Sequence, residues 1–197
     1  MSEKHAIIPV FLRNLRKTTK PAHCELEELT EGNKLLSGDF DAHHYARLLQ
    51  SHLAFHQELA RHVVHTVGEP LLDWPDCARI PALAHDLGQL GLGVALTSDL
   101  TLPLQTEAYT LGLCYVAEGS CMGNMQLHRA LAKHEDFQAL EADHFYLSCG
   151  AGFKARWQSF LQRLAHAGDH AYLELEKGAV DGFGYFGRLW RSFAVVG

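Results

Sequence analysis

Two glycines four residues apart, Gly119 and Gly123, sit inside a stretch whose apolar spacing is otherwise that of one long helix. Leu104, Ala108, Leu111, Tyr115, Leu127 and Leu131 set that spacing and predict a helix from about Gln105 to Lys133. An interior glycine costs a helix about 1 kcal/mol relative to alanine. Residues four apart share a face, so both bare patches of backbone point the same way. Such a face lets another group approach the helix axis closely, and the weakened ladder can bend there. The spacing is equally compatible with close packing against a second helix.

The rest of the chain also reads as helix after helix. Asp39 or Asp41 can cap a helix whose stripe is Tyr45, Leu48, His52, Phe55 and Leu59, ending near Val67-Gly68. Pro75 and Pro81 punctuate a short helical segment that ends at Leu87-Gly88, and Gly91 and Gly93 open a loop through Pro103. Phe153, Trp157, Phe160, Leu161 and Leu164 form another amphipathic stripe, and Tyr172 to Phe193 a last one. No run alternates with the period of a strand, and no repeat or linker interrupts the pattern. A length of 197 residues then predicts one all-α domain over 1–197, with 1–10 as an N-terminal extension.

Composition narrows the class. A formal charge of −6 argues against non-specific nucleic-acid binding. No apolar run approaches the roughly 18 residues that a membrane span needs. The apolar stretch 7–12 is too short and too soon interrupted for a secretory signal. Five cysteines form an odd set without a C-x-x-C pair, which predicts reduced thiols and a cytoplasmic location.

Near the N-terminus, Arg13, Arg16, Lys17 and Lys20 precede Pro21-Ala22-His23-Cys24-Glu25-Leu26-Glu27. Pro21 suits the first turn of a helix, where its missing N–H is not needed. His23 and Glu27 then share a face, so the carboxylate can accept the Nδ1–H and leave Nε2 as an acceptor or metal ligand. Arg16 lies one heptad earlier, on roughly the same side if the helical path continues across the proline. A solvated His–Glu pair in a surface segment fits the same residues.

Together these segments carry a likeness to a known family. Leu15-Arg16-Lys17-Thr18-Thr19-Lys20-Pro21-Ala22-His23 with Leu26-Glu27, and Cys114 to Gly123 with its Glu118-Gly119-Ser120 core, resemble the heme oxygenases, specifically their bacterial, biliverdin-producing branch. Echoes at Tyr45 to Leu49, Asp86-Leu87-Gly88, Arg156 to Phe160 and Phe183 to Phe186 extend the likeness over about residues 11–193.

The resemblance implies a helical bundle holding heme between a proximal N-terminal helix and a kinked distal helix. His23 would ligate the iron, with Glu27 on its other nitrogen. Gly119 and Gly123 would bring distal backbone close to the iron, with Ser120 and Met122 beside them. Arg16 falls where the family places a partner for a heme propionate, Phe183 and Phe186 where aromatic residues line the heme edge, and Tyr115 in the distal pocket. Heme would be both substrate and prosthetic group, cleaved with O2 to biliverdin, carbon monoxide and ferrous iron. A neutral histidine keeps the iron able to bind oxygen, and a backbone-lined wall directs that oxygen sterically. Electrons would come from a separate reductase or ferredoxin, because the chain carries no flavin or nucleotide motif.

The chain departs from the family after Gly123, where Asn124 and Met125 replace small residues. Asn124 can donate a hydrogen bond to bound oxygen or water, or its bulk can crowd the pocket. Arg129 replaces a position that is often lysine and can still meet a propionate. A non-degrading heme carrier or sensor of the same fold therefore stays open. A di-iron enzyme is disfavoured, because Glu141-Ala142-Asp143-His144 has no second Glu-x-x-His run to face it. Of fourteen histidines, His52 and His56 share a helical face without a third ligand. His43, His44, His62, His65, His134, His144, His166 and His170 read as surface or boundary positions.

Overall fold

The computed structural model describes residues 10–37, 40–66, 76–93, 99–150 and 152–193. The expected N-terminal extension (save its last residue, Val10) and Asp39, one of the two candidate caps, lie outside them. Eight helices follow one another: α1 (Val10–Leu29), α2 (Gly32–Ser37), α3 (Ala42–Thr66), α4 (Asp76–Gln89), α5 (Glu107–Leu131), α6 (Glu135–Ala139), α7 (His144–Gly150) and α8 (Phe153–Ser192). Among the described residues there is no strand, and no helix is long and apolar enough to cross a membrane.

Two of the long helices, α3 and α5, start where the sequence supplies a capping side chain. Asp41 accepts the His43 N–H at 2.9 Å and opens α3. Thr106 accepts the Tyr109 N–H at 3.2 Å and opens α5. The glycine-bearing helix thus begins and ends two residues inside the expected limits and stays helical through Gly119 and Gly123.

Pro21 does not start a helix. It lies inside α1, which runs unbroken from Val10 to Leu29. The missing N–H forfeits a bond to the carbonyl of Lys17, but Lys17 and Pro21 are both exposed, so water can take that carbonyl. Leu12, Leu15 and Thr19 are buried on the opposite side and hold the helix across the defect. The two stripes expected after Phe153 likewise belong to one helix, α8, broken only at Ala171 (φ −142°, ψ 42°), immediately before the second stripe begins.

The core is built on α5 and α8. Leu111, Leu113 and Cys114 of α5 are buried with Leu175, Ala179 and Leu189 of α8, and Tyr45, Leu49 and Leu53 of α3 close the other side. Two glycines let the long helices touch. A Cβ added at Gly112 would fall onto the backbone of Leu175 and Ala179, and one added at Gly178 onto the backbone of Tyr109. The close helix packing that glycine spacing allowed for Gly119 and Gly123 occurs instead at Gly112, about two turns before Gly119 in α5, and at Gly178 of α8.

Candidate functional site

A cavity of about 450 Å3 lies between α1, α3, α5 and α8, with α2 at its rim. Arg16, Thr19, Lys20, His23, Leu26 and Glu27 form one wall, all from a single face of α1. The opposite wall is α5, from Tyr115 and Val116 through Gly119, Ser120, Met122, Gly123, Asn124 and Leu127. His52, Phe55 and His56 of α3 and Phe183 and Phe186 of α8 close the deep end.

The His23–Glu27 pair forms as the i, i+4 spacing requires. Glu27 Oε2 stands 3.3 Å from His23 Nδ1, and both side chains are more than half exposed to the cleft and solvent. That contact directs Nε2 toward any ligand. Phe183 packs edge-on against the His23 ring at 5.5 Å between centroids and limits its rotation. Arg16 is exposed on the same wall, so the helical path does continue across Pro21 and carries the cation to the histidine's side. Burial pushes the Tyr115 phenol above its usual value, opposed by Thr19 and Arg16 beside it.

On the facing wall, a Cβ added at Gly119 or Gly123 would meet no protein atom within 4 Å. Among the described residues no side chain packs onto these glycines; their bare backbone borders the cavity. Ser120 turns its hydroxyl back to the Ala117 carbonyl at 2.8 Å. Asn124 is buried, and its amide Nδ2 lies 3.7 Å from Cys149 Sγ, a weak donor contact directed at α7. Met125 reaches toward Gly150, while Met122 is 43% exposed at the cavity edge. Arg129 is exposed and is not part of the cavity wall.

Several residues were not assigned to the site or the core from the sequence. His52 and His56 are buried, 6% and 1% exposed, with rings stacked 6.2 Å apart, and both line the cavity. Burial holds the His52 imidazole well below its usual pKa, with His56 and Arg79 adding to the effect. His62, expected at a surface or boundary position, is fully buried beside Glu58 and the Tyr109 ring. The reason is the breadth of the α3 interface, which takes in both the expected stripe and the flank carrying Glu58 and His62.

A buried charged network supports the glycine wall from behind. Glu118 is wholly buried, with Arg79 Nη2 at 2.5 Å and Arg156 Nε at 3.1 Å on its two oxygens. Arg156 also donates to the Cys149 carbonyl at 2.8 Å. Asp86 accepts the backbone N–H groups of His144 at 3.1 Å and Phe145 at 2.9 Å, fixing the start of α7. One signal for this network was legible: a lone carboxylate within an apolar run, Val116-Ala117-Glu118-Gly119, needs buried cations.

Comparison with known proteins bears on what such a cavity serves. Residues 10–192 match the family model described as heme oxygenase. A heme oxygenase of Xanthomonas campestris pv. campestris (strain 8004) is 34% identical over 141 residues, covering 68% of this chain and 82% of that protein. The NO- and CO-bound heme oxygenase of Neisseria meningitidis superposes with a TM-score of 0.69 at 22% identity, over 92% of this chain and 90% of its own. The last is a likeness of fold.

Proposed function

The chain belongs to the heme oxygenase family and degrades heme, and from that premise we propose how its own residues hold the substrate and direct the reaction. The residues lining the cavity fit a heme. A flat macrocycle needs an axial donor on one side and an unobstructed approach on the other. His23 with its Nδ1 engaged supplies the first, and the empty space beside Gly119 and Gly123 supplies the second. That pairing across one cavity is the observation that carries the proposal.

His23 ligates the iron through Nε2, and Glu27 orients the imidazole and raises its basicity through Nδ1. Arg16 and Lys20, exposed at the mouth of the same wall, meet the propionates. Phe183 and Phe186 cover the apolar edge, and Tyr115, Ser120 and Met122 flank the distal face. Heme, once bound, supplies the oxygen activation that leads to biliverdin, carbon monoxide and ferrous iron. The protein's part is positional. Backbone at Gly119 and Gly123 leaves room for oxygen and an ordered water while offering no strong acid to divert the reaction. Asn124 lines the same cavity with its amide turned toward Cys149 of α7, so it would border the distal side of a bound heme. Electrons arrive from a separate reductase or ferredoxin.

Hemin titration followed by turnover tests the reading. One equivalent of hemin produces a Soret band at a shifted position. Reductant and oxygen then bleach that band as biliverdin absorption grows. A Soret band that forms and survives reductant and oxygen would instead mark a heme carrier.

A further inference from the structure

The heme site leaves unused a second group of ligating side chains at the junction of α4 and α7. His85 lies one turn before the end of α4 and His144 is the first residue of α7, and the two imidazoles flank Asp86. His85 Nδ1 lies 3.3 Å and His144 Nδ1 3.4 Å from the same carboxylate oxygen, Oδ1. The rings are 3.9 Å apart between centroids. One ligand atom from each of the three residues falls within 4.8 Å of the others.

Helix capping accounts for only part of this arrangement. The cap needs the Asp86 carboxylate and the backbone N–H groups of His144 and Phe145. It does not need two ring nitrogens from different helices to converge on one carboxylate oxygen. Donors about 2.1 Å from a tetrahedral ion lie about 3.4 Å from each other, and both His–Asp separations already match that spacing. Asp86 is fully buried and held by its two backbone donors, so one ligand is preorganised. The histidines are 43% and 52% exposed, which gives an ion and its water access.

We propose that His85, Asp86 and His144 bind a divalent transition-metal ion of the zinc type, with water completing its coordination. Two imidazoles and one carboxylate suit such an ion and not magnesium or calcium, which take oxygen donors. The bound ion ties α4 to α7, the helix that Asn124 and Arg156 reach from behind the glycine wall.

The full-length protein, stripped with a chelator and free of heme, is titrated with Zn2+ by calorimetry and with Co2+ by visible absorption. One equivalent binds, and Co2+ develops the d–d bands of nitrogen and oxygen coordination. His85→Ala and His144→Ala each weaken binding at least ten-fold, while circular dichroism shows both variants folded, as their exposure leads one to expect. His23→Ala and the paired His166→Ala/His170→Ala variant keep full affinity. Binding that survives His85→Ala and His144→Ala overturns the assignment, as does its loss in either control variant or the absence of a stoichiometric site.

Discussion

Gly112, Gly178, Gly119 and Gly123 are one residue type used for opposite purposes, and substitution separates them. At Gly112 and Gly178 a methyl group would meet the backbone of the facing helix, which cannot yield as a side chain end can. Gly112→Ala should therefore destabilise the fold by about 3 kcal/mol, the upper range for overpacking, measured by urea unfolding. At Gly123 the methyl would enter open space. Gly123→Ala should raise stability by about 0.5–1 kcal/mol through helix propensity alone, while Gly123→Leu should stay folded yet lose heme affinity and turnover. The sequence showed that Gly119 and Gly123 share a face but not that it borders a cavity, because the opposite wall comes from α1, about a hundred residues earlier. His23 and Glu27 were legible as a pair because their contact is local. Arg129 was not, since its exclusion from the cavity depends on the angle of α5 against the other helices.

Helices with strong local signals lie where the sequence puts them: α3 behind Asp41, and α5 within two residues of its expected limits. The errors occurred where tertiary packing outweighs a local rule. Pro21 reads as a helix start, yet burial of Leu15 and Thr19 carries α1 through it. The three short helices, α2, α6 and α7, carry too few residues to show a period, and α7 is defined by Asp86 from a distant segment. Glu118, itself wholly buried, connects elements by joining α5 to the buried Arg79 of α4 and to the largely buried Arg156 of α8. Removing one member of a buried pair leaves the other desolvated without its counterion, so Glu118→Ala should cost about 3–5 kcal/mol in urea unfolding. Loss of an exposed pair such as Lys34–Glu31 should cost far less, because water screens both charges.

For the molecule as a whole, histidine burial sets the pH dependence of stability. Burial lowers the pKa of His52 and of His62, the latter opposed by Glu58. A folded-state value below the unfolded one means that the unfolded chain binds more protons on acidification. Stability is then fully present above about pH 6.5 and falls as the pH drops toward the folded values, by about 1.4 kcal/mol per pH unit for a fully shifted group. Urea unfolding at about pH 7.5 and 5.0 should show the loss, and His52→Leu should make it shallower. The all-α class was legible because helical periodicity pervades the chain, whereas the cavity was not, because it is the space that four long helices leave between them. Whether that space holds heme as described is decided most directly by hemin binding to His23→Ala with and without free imidazole. The variant should bind hemin with an altered Soret band and produce no biliverdin, and added imidazole should restore the wild-type spectrum by filling the vacated position. A His23→Ala protein whose spectrum and turnover match wild type without imidazole would contradict ligation from α1 beneath the glycine wall.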